Sequence, residues 1–390
     1  ELGHGRHPRR RLMSSSTADL LAALAARDEW APLPPGVYCS DEIVASEAQR
    51  IVRPGGLNVG HGSMGPDPGD GRSVDLLGEQ LVLTRDRGGE LHVLSRVCTH
   101  RWMDVCEPVA CGNAPSLQCP YHRWTFSLDG TLRAAPEMDD TPDFDKNAFG
   151  LHEFRHEVWE GFVFVNLDGD APSTADLWGP MSDQLAAYGL ADWVIVESKD
   201  WGVSAWDWKV FVDNGECYHH LGAHADTLEG VLPARRVEDL ADNGEYTLIY
   251  ARAEPDVLDT ADDGTRDFPS EDPAVAGLDD RQRTALGLAY PFPNYALALM
   301  PQSAFWYEVR PLGAGRLHLV AHVLLPPHLI GAPGHDERVA EHAAMFEAIH
   351  LEDIPMCEGV QRGVAAGSAR AGRLAHLEGH NRGFARWYSR

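Results

Sequence analysis

Residues 97–124 read "VCTHRWMDVCEPVACGNAPSLQCPYHRW", and this stretch decides how the front of the chain folds. Cys98 and His100 stand two apart, so on an extended segment both side chains point the same way. Cys119 and His122 form a second close pair, with Pro120 stiffening the turn between them. Two such loops can converge on one site and offer it two thiolates and two imidazoles.

Two metal readings compete for that set. Structural zinc modules usually pair Cys with Cys and His with His along the chain. Here each loop supplies one of each. That suits a Rieske [2Fe–2S] centre, which takes two thiolates on one iron and two imidazoles on the other. Cys106 and Cys111 are not needed as ligands and read as two ordinary thiols in a loop, with a pairing between them as the alternative.

The surroundings are β in character. "LVLTRD", "LHVLSRV", "WTFSL" and "GFVFVNL" are short β-branched or aromatic runs, separated by "RGGE", "LDGT" and "DGDAP". They predict a small antiparallel domain over residues 55–170. Gly60-x-Gly62-x-x-Gly65 fits a dinucleotide fingerprint, but "PDPGDG" follows and cannot open the helix that motif requires. A glycine-rich loop is expected instead. Ahead of the domain, residues 1–54 read as a basic leader followed by helices, with Thr17 as an N-cap and Leu20, Leu21 and Leu24 on one face.

Residues 171–390 change character. "AWDWKVFVDNGECYHHLGAHADTL" is plausibly helical through its first half. An acidic tract over residues 254–283 reads as a mobile surface loop. "ALALMPQSAFWYEVRPL" predicts one strand, and in "LHLVAHVLLPP" Leu317, Leu319, Ala321, Val323 and Leu325 alternate along the next. Helices are expected over residues 336–364 and 374–388. Strands and helices in blocks imply an α+β fold.

A second cluster lies in "DNGECYHHLGAH": His219, His220 and His224. His219 and His224 are five apart, about 140° round an ideal helix, so they can share one ion only where the helix ends or distorts; Gly222 can supply the break. A pair of histidines plus one carboxylate makes the facial triad that leaves positions open on Fe(II) for oxygen. His220 reads most simply as a packing residue or a support to the ligands.

"CTH" followed by "CPYHRWTFSLDG" resembles the Rieske domain of the Rieske non-heme iron ring-hydroxylating oxygenases. Arg123 stands where the family more often has glycine, and "RW" follows His100 where "RG" is frequent. The resemblance extends over residues 35–388. Glu216-x-x-His219-x-x-x-x-His224 fits the family's iron-binding signature, and "LEDIPMCEGVQRG" resembles its later acidic segment. This implies iron held by His219, His224 and Asp353, with Glu352 and Glu358 as competing carboxylates. Glu216 is implied as the bridge from the catalytic histidine to a cluster histidine of a neighbouring subunit, with His122 its natural partner. Asp213 and Asn214 both remain candidates for the family's usual asparagine.

The implied fold is a Rieske β domain with a helix-grip-like catalytic domain, an antiparallel sheet with covering helices. The implied activity is that of a terminal oxygenase component. It would use O2 and electrons from an NAD(P)H-linked reductase or ferredoxin to hydroxylate or oxidatively demethylate a small organic substrate. Aromatic cis-dihydroxylation is the alternative within the class, and a non-enzymatic Rieske electron carrier the alternative outside it. Head-to-tail pairing of cluster and iron implies a homotrimer, with an α₃β₃ assembly as the other arrangement. Arg96, Arg101, Arg123 and Arg133 suggest a basic collar that docks the electron donor. Substrate walls are expected after His224 and over residues 290–325, including Phe305, Trp306 and Tyr307.

Bulk properties narrow the partners. A net charge of −26 argues against nucleic acid or an anionic membrane. No run of eighteen apolar residues would span a bilayer. Seven cysteines without a secretory leader suggest a reducing, cytoplasmic setting.

Overall fold

The computed structural model of the 390-residue chain describes residues 16–106, 112–216, 219–220, 222–225, 227–240, 243–260, 262, 264–270 and 272–390. Two helices open it. α1 (Thr17–Ala25) is capped by Ser16, not Thr17: the Ser16 hydroxyl accepts from the Asp19 amide while Asp19 reaches back to Ser16. Leu20 and Leu24 are buried beneath it. α2 (Asp41–Glu47) follows.

The front domain is made of three small antiparallel sheets. β1 (Leu57–His61) pairs with β10 (Phe162–Asn166), which pairs with β9 (Arg155–Trp159). β2 (Asp70–Leu76), β3 (Glu79–Arg85), β4 (Leu91–Ser95) and β5 (Gly112–Asn113) form the second, in the order β4-β3-β2-β5. β6 (Leu117–Gln118), β7 (Thr125–Phe126) and β8 (Leu132–Ala134) form the third. After β1 comes a single 3₁₀ turn, Gly62–Met64, so the glycine-rich stretch opens no helix.

The rear domain is organised on a seven-stranded antiparallel sheet in the order β11-β19-β18-β17-β16-β13-β12. Its strands are β11 (Val194–Ser204), β12 (Val237–Asp239), β13 (Tyr246–Arg252), β16 (Ala285–Pro291), β17 (Tyr295–Leu299), β18 (Ala304–Gly313) and β19 (Arg316–Leu325). The stretch expected as one strand over residues 296–312 is thus two. Residues 300–303 turn between them, with the Met300 amide bonded to the Ser303 carbonyl. The acidic tract is also not bare loop. It carries the hairpin β14 (Asp259–Thr260) and β15 (Arg266–Asp267) and the short helix α5 (Asp280–Arg283), and Leu278 is buried. Its apolar residues pack under the sheet, while its acids pair with Arg252, Arg283 and Arg338.

Period-two alternation gives this sheet two apolar faces. On one, Phe305, Val309, Leu317, Leu319, Ala321 and Val323 pack with α4 (Trp208–Asp213), α6 (His335–Val364) and α7 (Gly379–Tyr388). On the other, Ala304, Trp306 and Leu324 pack with β9, β10 and α3 (Thr174–Leu185). Helices therefore grip one face, and the front domain covers the other. The seam is also polar. Arg72 of β2 donates to both oxygens of Glu308 on β18, at 2.9 and 2.7 Å, and Glu308 is 1% exposed. Burial pushes that carboxyl up, but Arg72, His322 and Arg310 outweigh it and hold it down at about 2.

Candidate metal centres

At the front site the two predicted loops repeat one hydrogen-bond pattern. The Cys98 amide donates to the Met103 carbonyl at 2.8 Å, and the Trp102 amide donates back to the Cys98 carbonyl at 2.9 Å. In the second loop the Cys119 amide donates to Trp124 at 2.8 Å and the Arg123 amide to Cys119 at 3.0 Å. Trp102 and Arg123 thus hold equivalent positions, and both have φ of 59°. This left-handed backbone explains why glycine suits both places.

The pattern turns Cys98 and Cys119 into the core and brings His100 and His122 together, with ring centroids 4.6 Å apart. The His100 ring stacks on Trp124 at 4.7 Å, 6° from parallel. The Nδ1 atoms of both histidines are buried and make no hydrogen bond among the described residues. Two buried thiols facing two orphaned imidazole nitrogens are the donor set a [2Fe–2S] cluster needs, so the residues fit the group. Outside this cradle, Trp102 is 81% and Tyr121 55% exposed, with the Arg101 guanidinium 5.3 Å from the Tyr121 ring.

Two expectations around this site need correction. Arg96 does not belong to a surface collar. It is 1% exposed and paired with Asp75 and Asp104, because a buried guanidinium needs carboxylate partners. Arg101, Arg123 and Arg133 are exposed. Cys106 is disulfide-bonded, not an ordinary thiol; Cys111 lies outside the described residues. Cys39, Cys98, Cys119 and Cys357 are not in disulfides.

At the rear site α4 ends at Asp213, and the described residues after it are tied by turn bonds: the His219 amide bonds to Glu216, Ala223 to His220 and Thr227 to His224. Ring directions here follow those turns, not an ideal helix. The residues brought together are His220, His224 and Asp353. His220 Nε2 lies 3.0 Å from His224 Nε2 and 3.1 Å from Asp353 Oδ1, and His224 Nε2 lies 3.1 Å from the same oxygen. Cis ligands of an octahedral ion at ~2.1 Å stand about 3.0 Å apart, so this triangle is one face of such an ion's shell. The site fits a divalent metal held by two imidazoles and a carboxylate.

His219 does not join that group. Its Nδ1 is buried and makes no hydrogen bond among the described residues. His220, expected as a support, is the histidine that stands with His224 and Asp353. The signal for it is a plain one: Glu216, His220 and His224 recur every four residues, and the first two pair as i, i+4 at 2.6 Å.

Each gathered histidine leans on a carboxylate. Glu216 Oε2 meets His220 Nδ1 at 2.6 Å, and Glu352 Oε2 meets His224 Nδ1 at 2.8 Å while accepting from the Thr227 hydroxyl at 2.6 Å. These contacts place the ring proton on Nδ1 and point each Nε2 lone pair into the site. Glu352 is therefore a support, not a rival to Asp353, and Glu358 faces Arg362 on the helix surface. Burial pushes the Asp353 carboxyl up, yet the two histidines outweigh it and hold it down at about 2; Asn214 contributes to the lowering. Asn214 thus reaches the site, whereas Asp213 is part-buried, accepts from the Tyr38 hydroxyl and is raised by desolvation to about 7. Burial raises the Glu216 carboxyl as well.

A cavity of about 340 Å³ opens on Asp353. Phe305 and Tyr307 line it, as expected, and Thr227 and Leu228 come from the segment after His224. Trp306 faces the opposite core, stacked on His322 at 4.4 Å. The wall that was not foreseen is α6 itself, through Met345, Phe346 and Ile349.

Comparison with known proteins now bears on these sites. Residues 190–390 match the family described as ring hydroxylating alpha subunit (catalytic domain), and residues 59–145 match the Rieske [2Fe-2S] domain. The chain belongs to the ring-hydroxylating oxygenase alpha-subunit family. It is 32% identical over 252 residues to the glycine betaine monooxygenase oxygenase subunit of Chromohalobacter salexigens, covering 62% of this chain and 56% of the relative. The chain thus spans just over half the length of that curated relative. In fold it resembles a quaternary ammonium Rieske monooxygenase studied for carnitine oxidation, with a TM-score of 0.77 at 22% identity over 94% of this chain and 96% of that one. It is equally like naphthalene 1,2-dioxygenase from Rhodococcus sp., with a TM-score of 0.78 at 20% identity over 97% and 98%. Among the described residues, no helix is long and apolar enough to cross a membrane.

Proposed function

We propose that the protein is the terminal oxygenase component of a Rieske system, demethylating an N-methylated substrate. The observation that carries this is the His220–His224–Asp353 triangle, whose Asp353 lines an apolar cavity, in a chain that also gathers Cys98, His100, Cys119 and His122. Relatives named for glycine betaine and carnitine favour demethylation over cis-dihydroxylation. The overall change is balanced when a trimethylammonium group, dioxygen, two electrons and one proton yield a dimethylamine, formaldehyde and water.

Bound in these places, the cluster passes single electrons and the ferrous ion activates dioxygen. The chain's own residues prepare the ground. Glu216 and Glu352 hold the Nδ1 protons of His220 and His224, leaving both Nε2 atoms as donors. Asp353 stays ionised against its burial. The apolar walls exclude water from the substrate side of the triangle.

The rest of the assembly belongs to the same proposal. Iron is held by His220, His224 and Asp353, the cluster by the two Cys/His loops, and Glu216 bridges to a neighbour's His122. The chain divides into residues 1–54, 55–170 and 171–390, and works as a cytoplasmic homotrimer. An NAD(P)H-linked reductase or ferredoxin docks against Arg101 and Arg123. With a surrogate reductase, oxygen uptake should yield formaldehyde one for one. A red-brown protein that takes up electrons but consumes no oxygen with any N-methyl compound would instead be an electron carrier.

A further inference from the structure

His92 stands on β4, outside both iron sites, and its ring is held as ligand histidines are held. The residue is 8% exposed. Its Nδ1 meets Glu153 Oε1 at 2.8 Å, so that carboxylate keeps the ring proton on Nδ1. Nε2 is left with its lone pair. It is buried and makes no hydrogen bond among the described residues. Asp86 Oδ2 lies 3.6 Å from it, too far for a hydrogen bond. That gap is near the ~3.3 Å between neighbouring ligands of a tetrahedral ion with bonds of ~2.0 Å.

Glu90 supplies a third donor. Asp86, Glu90 and His92 can each bring one ligand atom to within 4.8 Å of the others. The turn between β3 and β4 fixes the acids. Asp86 Oδ1 accepts from the Glu90 amide at 2.8 Å, and the Asp86 amide donates to the Glu90 carbonyl at 2.9 Å, which leaves Oδ2 on the His92 side. Among the described residues, no lysine or arginine pairs with Asp86, Glu90 or Glu153. Arg85 stands next to Asp86 in the chain, but its guanidinium donates to the carbonyls of Gly65 and Gly89, both at 2.8 Å. Three carboxylates therefore surround one imidazole whose inner nitrogen has no partner.

We propose that Asp86, Glu90 and His92 bind a zinc ion, with Glu153 orienting the imidazole. One ring nitrogen among carboxylates suits zinc better than calcium or magnesium, which take oxygen alone. The ion ties the end of β3 to the start of β4. Glu153 bridges to Leu94 on the same strand, and Leu94 packs in the core that holds Cys98 and Cys119. Zinc here braces the strand that leads into the first cluster loop. The proposal is independent of what the rear iron site oxidises.

The test adds Zn2+ to the iron-loaded full chain by equilibrium dialysis, with metal analysis and a visible spectrum. One zinc per chain should bind beyond the iron already present, and the midpoint of thermal unfolding should rise. His92→Gln and Asp86→Asn should each lose that zinc while keeping the iron and the cluster's colour. If His92→Gln fails to fold, Asp86→Asn, at a partly exposed side chain, decides alone. Glu153→Gln should weaken zinc binding at least tenfold, since it removes only the group that orients the ring. Ca2+ at the same concentration should leave the midpoint unchanged. Zinc gained only as iron is lost, no added zinc, zinc that survives Asp86→Asn, or an equal response to Ca2+ each overturns the proposal.

Discussion

Cys98 and Cys119 enter the front site from two loops of one shape, whereas the rear site joins a run of turns to a helix, with Asp353 lying 133 residues beyond His220. In the front loops the sequence spacing is itself the geometry, because each loop is a short turn closed by its own backbone bonds. In the rear site spacing constrains much less. Which ring faces inward depends on where α4 stops and on what α6 offers beside it on the same face of the sheet. Local order can be read from a motif; order imposed from a distance cannot.

The largest effect tests that contrast. If the turns aim His220 inward, His220→Ala should drop total iron from three to two per chain and leave the cluster's colour intact. His219→Ala should keep three. Metal analysis beside a visible spectrum reads both. Loss of the third iron in His219→Ala with retention in His220→Ala would restore the five-residue spacing as the ligand rule.

A second test addresses the seam that joins the two regions. Removing Arg72 by Arg72→Met leaves Glu308 buried with only Arg310 and His322 beside it, and breaking such a pair costs about 3 kcal/mol. Thermal unfolding should show that loss at pH 7. The pH dependence follows in sign. The folded-state value of about 2 lies below the ordinary ~4.3 of a glutamate, so the stabilisation is complete above about pH 5 and fades as pH falls towards 2. Glu308→Gln should flatten that part of the stability profile. An unchanged acid slope would mean that the Arg72–Glu308 contact adds nothing to folding.

Much of this architecture was legible in the residues, for reasons that differ by place. Alternation in Leu317–Leu325 marks a strand because period two survives any register. The Cys/His loops declare themselves because few chemistries use that donor set. What stayed hidden depended on partners far along the chain. Arg96 could not be told from an exposed arginine without Asp75 and Asp104 beside it. Phe346 could not be assigned to the cavity without the crossing of α6 over the sheet. The four-residue recurrence of Glu216, His220 and His224 was present all along, but it competed with a motif that placed His219 first.

The smallest effect lies at Trp102, whose φ of 59° is a conformation that costs an L-residue roughly 1–2 kcal/mol. Its ring is 81% exposed, so packing returns little of that. Trp102→Gly and Trp102→Ala remove the same ring, yet only glycine also removes the strain. Glycine should therefore be the more stable variant by about 1 kcal/mol, although at an ordinary position it would be the less stable by a similar amount. Denaturant melts of the two variants, with cluster absorbance as the probe, measure the difference directly. Were alanine the more stable, the left-handed turn would not be what closes this loop, and the likeness between the Cys98 and Cys119 loops would stop at their ligands. If glycine wins, a strained tryptophan has been kept at the exposed edge of an electron-transfer centre against a cheaper residue. That is a cost folding alone does not explain, and it would single out this edge as the surface where a redox partner touches the cluster.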